Sequence, residues 1–199
     1  NLAGRLNGSV TMDGGNDTLI QVGGATLTGT ANGGLGNDTL GFSNMGTVDN
    51  SILGTKYFNF ENLGIFGGST TLTGAWDFSG GNTTIYSGTL FLDGSLNTNA
   101  FTVNTGGLAN ITGHLNSQTA TVYGEMELNG NLTTDTLTIA SNGLLSGSGQ
   151  VDGRLINYGT ISPGNSIGTL HVNGSVSFMP GSTYQAEIRP NGSSDRIDV

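Results

Sequence analysis

The chain has 199 residues, enough for one domain with a sizeable core, and a net charge of −9. Its five basic residues, Arg5, Lys56, Arg154, Arg189 and Arg196, are scattered, which excludes a phosphate-binding patch and so excludes nucleic acid and anionic membrane surfaces as expected partners. Cysteine is absent, which excludes disulfides and thiol chemistry, and 36 glycines with abundant Asn, Ser and Thr point to an all-β chain with many turns. No apolar run reaches membrane-spanning length and no signal peptide is visible. The pattern is cut at both ends, so a fragment of something longer is expected.

The first half is the less regular. "MDGGNDTLIQV" (12–22) and "GGLGNDTLGF" (33–42) set Asp17 and Asp38 about one coil apart. "GGLGNDTLG" fits the Gly-Gly-x-Gly-x-Asp-x-apolar-x nonapeptide of calcium-binding β-rolls, in which carboxylates and turn carbonyls supply the six or more oxygens that Ca²⁺ takes. Those sites need tandem copies nine residues apart. Here the partner copy is a coil away and lacks the first two glycines. The expectation is therefore no cofactor, with Asp17 and Asp38 capping turns through Asx bonds; calcium at these two residues is the alternative. Residues 57–94 read as further coils with a bulkier core: Phe58, Phe60, Leu63, Phe66, Trp76 and Phe78.

From residue 88 a nine-residue block recurs, Gly-x-apolar-x-apolar-x-Gly-x-apolar: "GTLFLDGSL" (88–96), "GLANITGHL" (107–115), "GEMELNGNL" (124–132), "GLLSGSGQV" (143–151) and "GTLHVNGSV" (168–176). Gly147 is the one lapse. Second strands lie between the blocks: "FTVN" (101–104), "ATVYG" (120–124), "LTIA" (137–140) and "RLINYG" (154–159). One such coil cannot bury its inner face alone, but stacked coils can. The spacing predicts a right-handed parallel β-helix. Leu90, Ala109, Met126 and Leu145 form one inner column, Leu92, Ile111, Leu128 and Gly147 a second, and Leu96, Leu115, Leu132 and Val151 a third. Gly94, Gly113, Gly130 and Gly149 mark a corner needing either positive φ or close backbone approach. An antiparallel sandwich or barrel is the competing architecture; fixed block spacing counts against it.

The chemistry-bearing residues are sparse. Asp77, Asp93, Glu125, Glu127, Asp135 and Asp152 do not cluster in sequence, although corners could align them across coils. Glu125 and Glu127 flank Met126 and read as a solvated face. His114 and His171 sit outward, with no second ligand at metal spacing. No Ser-His-Asp set is present. The chain is expected not to be an enzyme, a glycan-cleaving β-helix enzyme being the alternative. The binding residues are not readable from the sequence; Tyr57, Tyr86 and Tyr123 are the first candidates as surface contacts, with a place in the core as the alternative for each.

The end of the chain reads "PGNSIGTL" (163–170), "PGSTY" (180–184) and "SDRIDV" (194–199). Val176 and Phe178 are expected to turn at Pro180-Gly181 into Tyr184, Ala186 and Ile188 as an antiparallel hairpin cap, with Asp195 and Arg196 paired. Together with "GGNDTL", "FNFENL" and "LTGAWDFSGGNTTIYSGTLFLDGSL", these motifs resemble the C-terminal part of autotransporter passenger domains of type V secretion in Gram-negative bacteria. The resemblance divides the chain into passenger coils (1–142) and a continuous autochaperone-like end (143–199). It implies export through a translocator β-barrel that follows in the same polypeptide, with the end templating folding through Pro163, Gly164, Asn165, Ser166, Gly168, Pro180, Gly181, Tyr184, Asp195 and Arg196. It further implies a secreted or surface-displayed virulence factor that meets a host cell-surface protein or glycan as adhesin or receptor ligand. An inert stem, with function upstream, is the remaining alternative.

Overall fold

A computed structural model describes residues 1–199. The chain winds into an all-β parallel solenoid of about nine turns. Every pairing between strands is parallel. Alternation causes this: in Gly107–Ile111, Ala109 and Ile111 are buried while Leu108 and Asn110 face outward. A coil that exposes one face of each strand must lay the other on its neighbours.

The inner columns stack as the repeat predicts. Leu90 is in register with Ala109, Ala109 with Met126 and Met126 with Leu145. Leu96, Leu115, Leu132 and Val151 align likewise. A third side is built from Phe101, Ala120, Leu137 and Leu155 and from Val103, Val122 and Ile139. One buried cluster runs unbroken from Leu19 to Val172. Between the second and third sides two consecutive residues face out, as at Gln118 and Thr119, so the strand bends there.

Gly94, Gly113, Gly130 and Gly149 resolve to close approach. None has positive φ, but a Cβ at any of them would run into the carbonyl of the coil before, Gly130 onto Gly113 O for example. Gly147, the lapse in the block, does take a positive φ of 103°, and its carbonyl accepts the Gly164 amide.

Coil length alternates, and one corner accounts for it. Six positions separate Val103 from Ala109, four separate Val122 from Met126, six separate Ile139 from Leu145 and four separate Asn157 from Ile161. Long corners, Asn104–Gly107 and Ala140–Gly143, therefore alternate with the short Tyr123–Gly124 and Tyr158–Gly159.

Two expectations are corrected. The hairpin at Pro180-Gly181 does not form. Thr169–Phe178 pairs in parallel with Gln150–Asn157, and Thr183–Tyr184 in parallel with Thr160–Ile161, so Pro180-Gly181 is one more solenoid corner. Its Ser182 amide donates to Met179 O, with Gly181 at φ 86°. An antiparallel excursion does exist, later in the chain, where Ile188 bridges Ser194. The N-terminal core is also not as read. Leu63, Trp76 and Phe78 are buried, but Phe58, Phe60 and Phe66 are only partly so. Phe66 lies outward across Gly41 and Gly64, whose missing side chains make room for its ring, and stacks on Tyr86 at 4.5 Å.

Candidate functional site

Two of the C-terminal candidates, Gly168 and Tyr184, bond to a third, Asp195. Asp195 is 5% exposed. Its Oδ1 accepts the Gly168 amide and its Oδ2 the Glu187 amide, each at 2.8 Å. The Tyr184 hydroxyl donates to Asp195 O at 3.1 Å. Arg196 does not pair with Asp195: its guanidinium lies 3.4 Å from Asp198 and donates to Thr169 Oγ1. A buried carboxylate is better satisfied by two fixed amides than by a mobile neighbouring side chain. Burial, with the Asp195 charge beside it, raises the Tyr184 phenol above its usual pKa.

The Pro163–Gly168 corner reaches Asp195 through Gly168 and other partners through Asn165 and Ser166. Pro163 is buried beneath Gly147. Gly164 takes φ 83°. Ser166 Oγ accepts from Arg189 at 2.8 Å, and Asn165 Nδ2 donates to Glu127 Oε1 at 2.7 Å. Glu127 also takes the amides of Asn110 (2.6 Å) and Asn129 (2.9 Å). It is half-exposed, as a solvated face implies, and it also joins three coils. The sequence signal was available, an Asn at the same outward place one coil earlier. Pro180 and Gly181 sit exposed and apart from this knot.

Asp17, Asp38 and Glu61 stack in register, one per coil. Two of these carboxylates reach back one coil: Asp38 Oδ1 accepts the Asp17 amide (2.7 Å) and Glu61 Oε2 the Asp38 amide (2.8 Å). Asp38 is fully buried, and its Oδ2 has no partner in the protein. Neither Asp17 nor Asp38 forms an Asx turn: Asp38 accepts from the coil before it, and no amide donates to the Asp17 carboxylate. No group of three or more Asp, Glu or His side chains that could hold a metal ion converges here or elsewhere.

The outward acids are dispersed in local bonds. Asp77 Oδ1 accepts the Ser79 amide, Asp93 takes the Thr112 hydroxyl, and Asp152 takes the Gln150 and Asn173 amides. Asp135 and Asp152 border a polar groove of about 450 Å³ with Asn97, Asn116 and Thr133. Beneath it lies a buried hydroxyl column, Thr98, Ser117 and Thr134, that sequence reading missed because Ser and Thr read as turn residues. His114 and His171 lie outward, His171 at 3.8 Å from Asp198. Tyr57 is only 3% exposed and belongs to the core; Tyr86 and Tyr123 are exposed, joined by Tyr158, which was not singled out.

No family model matches the chain, and no solved structure matches it. A stretch of 44 residues is 48% identical to an extracellular serine protease of Serratia marcescens, covering 22% of this chain and 4% of that protein. The chain therefore spans only a small part of that relative.

Proposed function

We propose that the chain is part of an autotransporter passenger, secreted or displayed at a bacterial surface, that meets host cells through its solenoid wall as an adhesin or receptor ligand. Its last coils template folding as the passenger emerges through its own translocator β-barrel. The observation that carries this reading is the knot at the C-terminal end, where Asp195 holds the Gly168 and Glu187 amides and Asn165 reaches Glu127. A solenoid grows one coil at a time onto a formed nucleus, and these bonds tie the last coils to one another and to the coil of Glu127. The partial match to an extracellular protein supports export.

A second reading, an inert stem, is favoured by Asp195 and Glu127 being spent on internal bonds. A third, a glycan-cleaving enzyme, needs paired acids on one outer face, and Asp135 with Asp152 beside the polar groove is where it would act. Labelled fragment is incubated with cultured host cells, with unlabelled excess and heat-unfolded fragment as controls. Saturable, competed binding is expected. Binding no greater than that of the unfolded control overturns the adhesin reading in favour of the stem.

A further inference from the structure

We propose that the corner bearing Tyr86, Tyr123 and Tyr158 binds an extended neutral polysaccharide, with sugar rings stacked on tyrosines that recur every second coil. Ile85, Val103, Val122, Ile139 and Asn157 form one inner column. The residues that follow them are Tyr86, Asn104, Tyr123, Ala140 and Tyr158, so the three tyrosines occupy one corner on alternate coils. At a strand spacing of about 4.8 Å, successive tyrosines lie about 9.6 Å apart. They are 45%, 46% and 43% exposed, Tyr86 with one face already covered by Phe66.

The alternation of corner lengths shapes the surface around them. The short Tyr123–Gly124 corner lies between the longer ones at Thr105–Gly107 and Asn142, which wall a notch of about 340 Å³. Leu108 and Leu144 flank the notch, and Glu125 stands between them in register. An aromatic face with a few isolated apolar groups and a rim of amide, hydroxyl and carboxylate suits a sugar ring, which presents C–H bonds on its face and hydroxyls at its edge. A protein partner would want a continuous apolar centre, which this corner lacks. None of the five basic residues lines the notch, Glu125 does, and the net charge is −9, which disfavours an anionic glycan.

The period narrows the ligand further. In an extended β-1,4-linked chain successive rings are flipped, so the same ring face returns every second sugar. Tyrosine on every second coil matches that repeat. The inference rests on the wall being a contact surface but not on how the chain is exported.

The test is calorimetric titration of the fragment with cellohexaose and chitohexaose, with cellobiose and a heparin hexasaccharide as comparisons. At least one neutral hexasaccharide is expected to bind with a Kd below about 1 mM. Cellobiose, which spans one tyrosine, is expected to bind at least about tenfold more weakly. Tyr123→Ala lowers hexasaccharide affinity about tenfold and Tyr123→Trp retains it; circular dichroism verifies that both variants fold. Failure of both neutral hexasaccharides to bind overturns the proposal. So does unchanged affinity in Tyr123→Ala, or heparin binding as tight as the neutral sugars. Cell binding that survives Tyr123→Ala in a fragment without sugar affinity sinks this inference alone; sugar binding without cell binding upholds it and sinks the adhesin reading.

Discussion

Asn165 Nδ2 donates to Glu127 Oε1 at 2.7 Å across 38 residues of chain. In register, Glu127 is followed by Ser146 and then Ser162, so the bond steps over two small side chains. It ties the corner at Pro163–Gly168 to a coil that is not its immediate neighbour, whereas nearly all other cross-ties here join adjacent coils.

A double-mutant cycle tests whether the tie operates in solution. Asn165→Ala and Glu127→Ala are each expected to lower stability, with a coupling of about 0.5–1 kcal/mol. Glu127→Ala is the costlier, because it also frees Asn110 and Asn129. Urea unfolding of the four proteins gives the coupling; a value within error of zero means that the pair is not bonded.

Asp195 carries more. Asp195→Ala leaves the half-buried Gly168 and exposed Glu187 amides without their protein acceptors, an expected loss of about 1–3 kcal/mol. Asp195→Asn keeps one acceptor oxygen and is expected to lose about half of that. Hydrogen exchange resolves the two amides. In Asp195→Ala both are expected to exchange quickly while the Ile139 and Val151 amides stay protected; protection at Gly168 and Glu187 equal to that of the parent protein would contradict the bonding described.

The columns were legible because the alternation and the glycine spacing repeat in the sequence itself, so Leu90, Ala109, Met126 and Leu145 could be aligned by counting. Direction at a turn was not. Pro180-Gly181 suits a tight turn, and the same turn serves a hairpin or a solenoid corner; only the parallel partner of Thr183–Tyr184 decides. Asp195 looked like a partner for Arg196 because the two are adjacent, yet its acceptors were claimed by amides 27 and 8 residues away. Tyr57 and Tyr158 were indistinguishable by residue type, and their burial depends on which side of a bend each falls. Phe66 was read as core since nothing local reveals that Gly41 and Gly64 form a flat shelf for it.

The two kinds of corner glycine should separate on substitution. Gly130 has ordinary φ but no room, since a Cβ would meet Gly113 O. Backbone cannot rotate away, so Gly130→Ala is expected to cost about 3 kcal/mol or more. Gly181 has open space around it and a φ of 86°. Gly181→Ala therefore meets backbone strain alone, about 1–2 kcal/mol. Thermal unfolding of both variants measures the order, and a Gly181→Ala costlier than Gly130→Ala would contradict the close approach of the coils.

Tyr57 gives an alkaline limit to the fold. Burial pushes its phenol up to about 12 from the ordinary 10.0. The folded state thus holds this proton more tightly than the unfolded chain does. The resulting stabilisation, at most about 3 kcal/mol, is fully present below about pH 10 and is lost as pH rises through 12. Tyr184 is also held above its usual value, by burial and then by Asp195. Phenolate absorbance should therefore show a last step near pH 12 among the five tyrosines, coincident with loss of the β signal in circular dichroism. Tyr57→Phe is expected to remove that step and to shift alkaline unfolding to higher pH, because the group whose ionisation opposes folding is gone. If the last step persists in Tyr57→Phe, the most perturbed phenol is another one and the N-terminal coils pack more loosely around residue 57 than described.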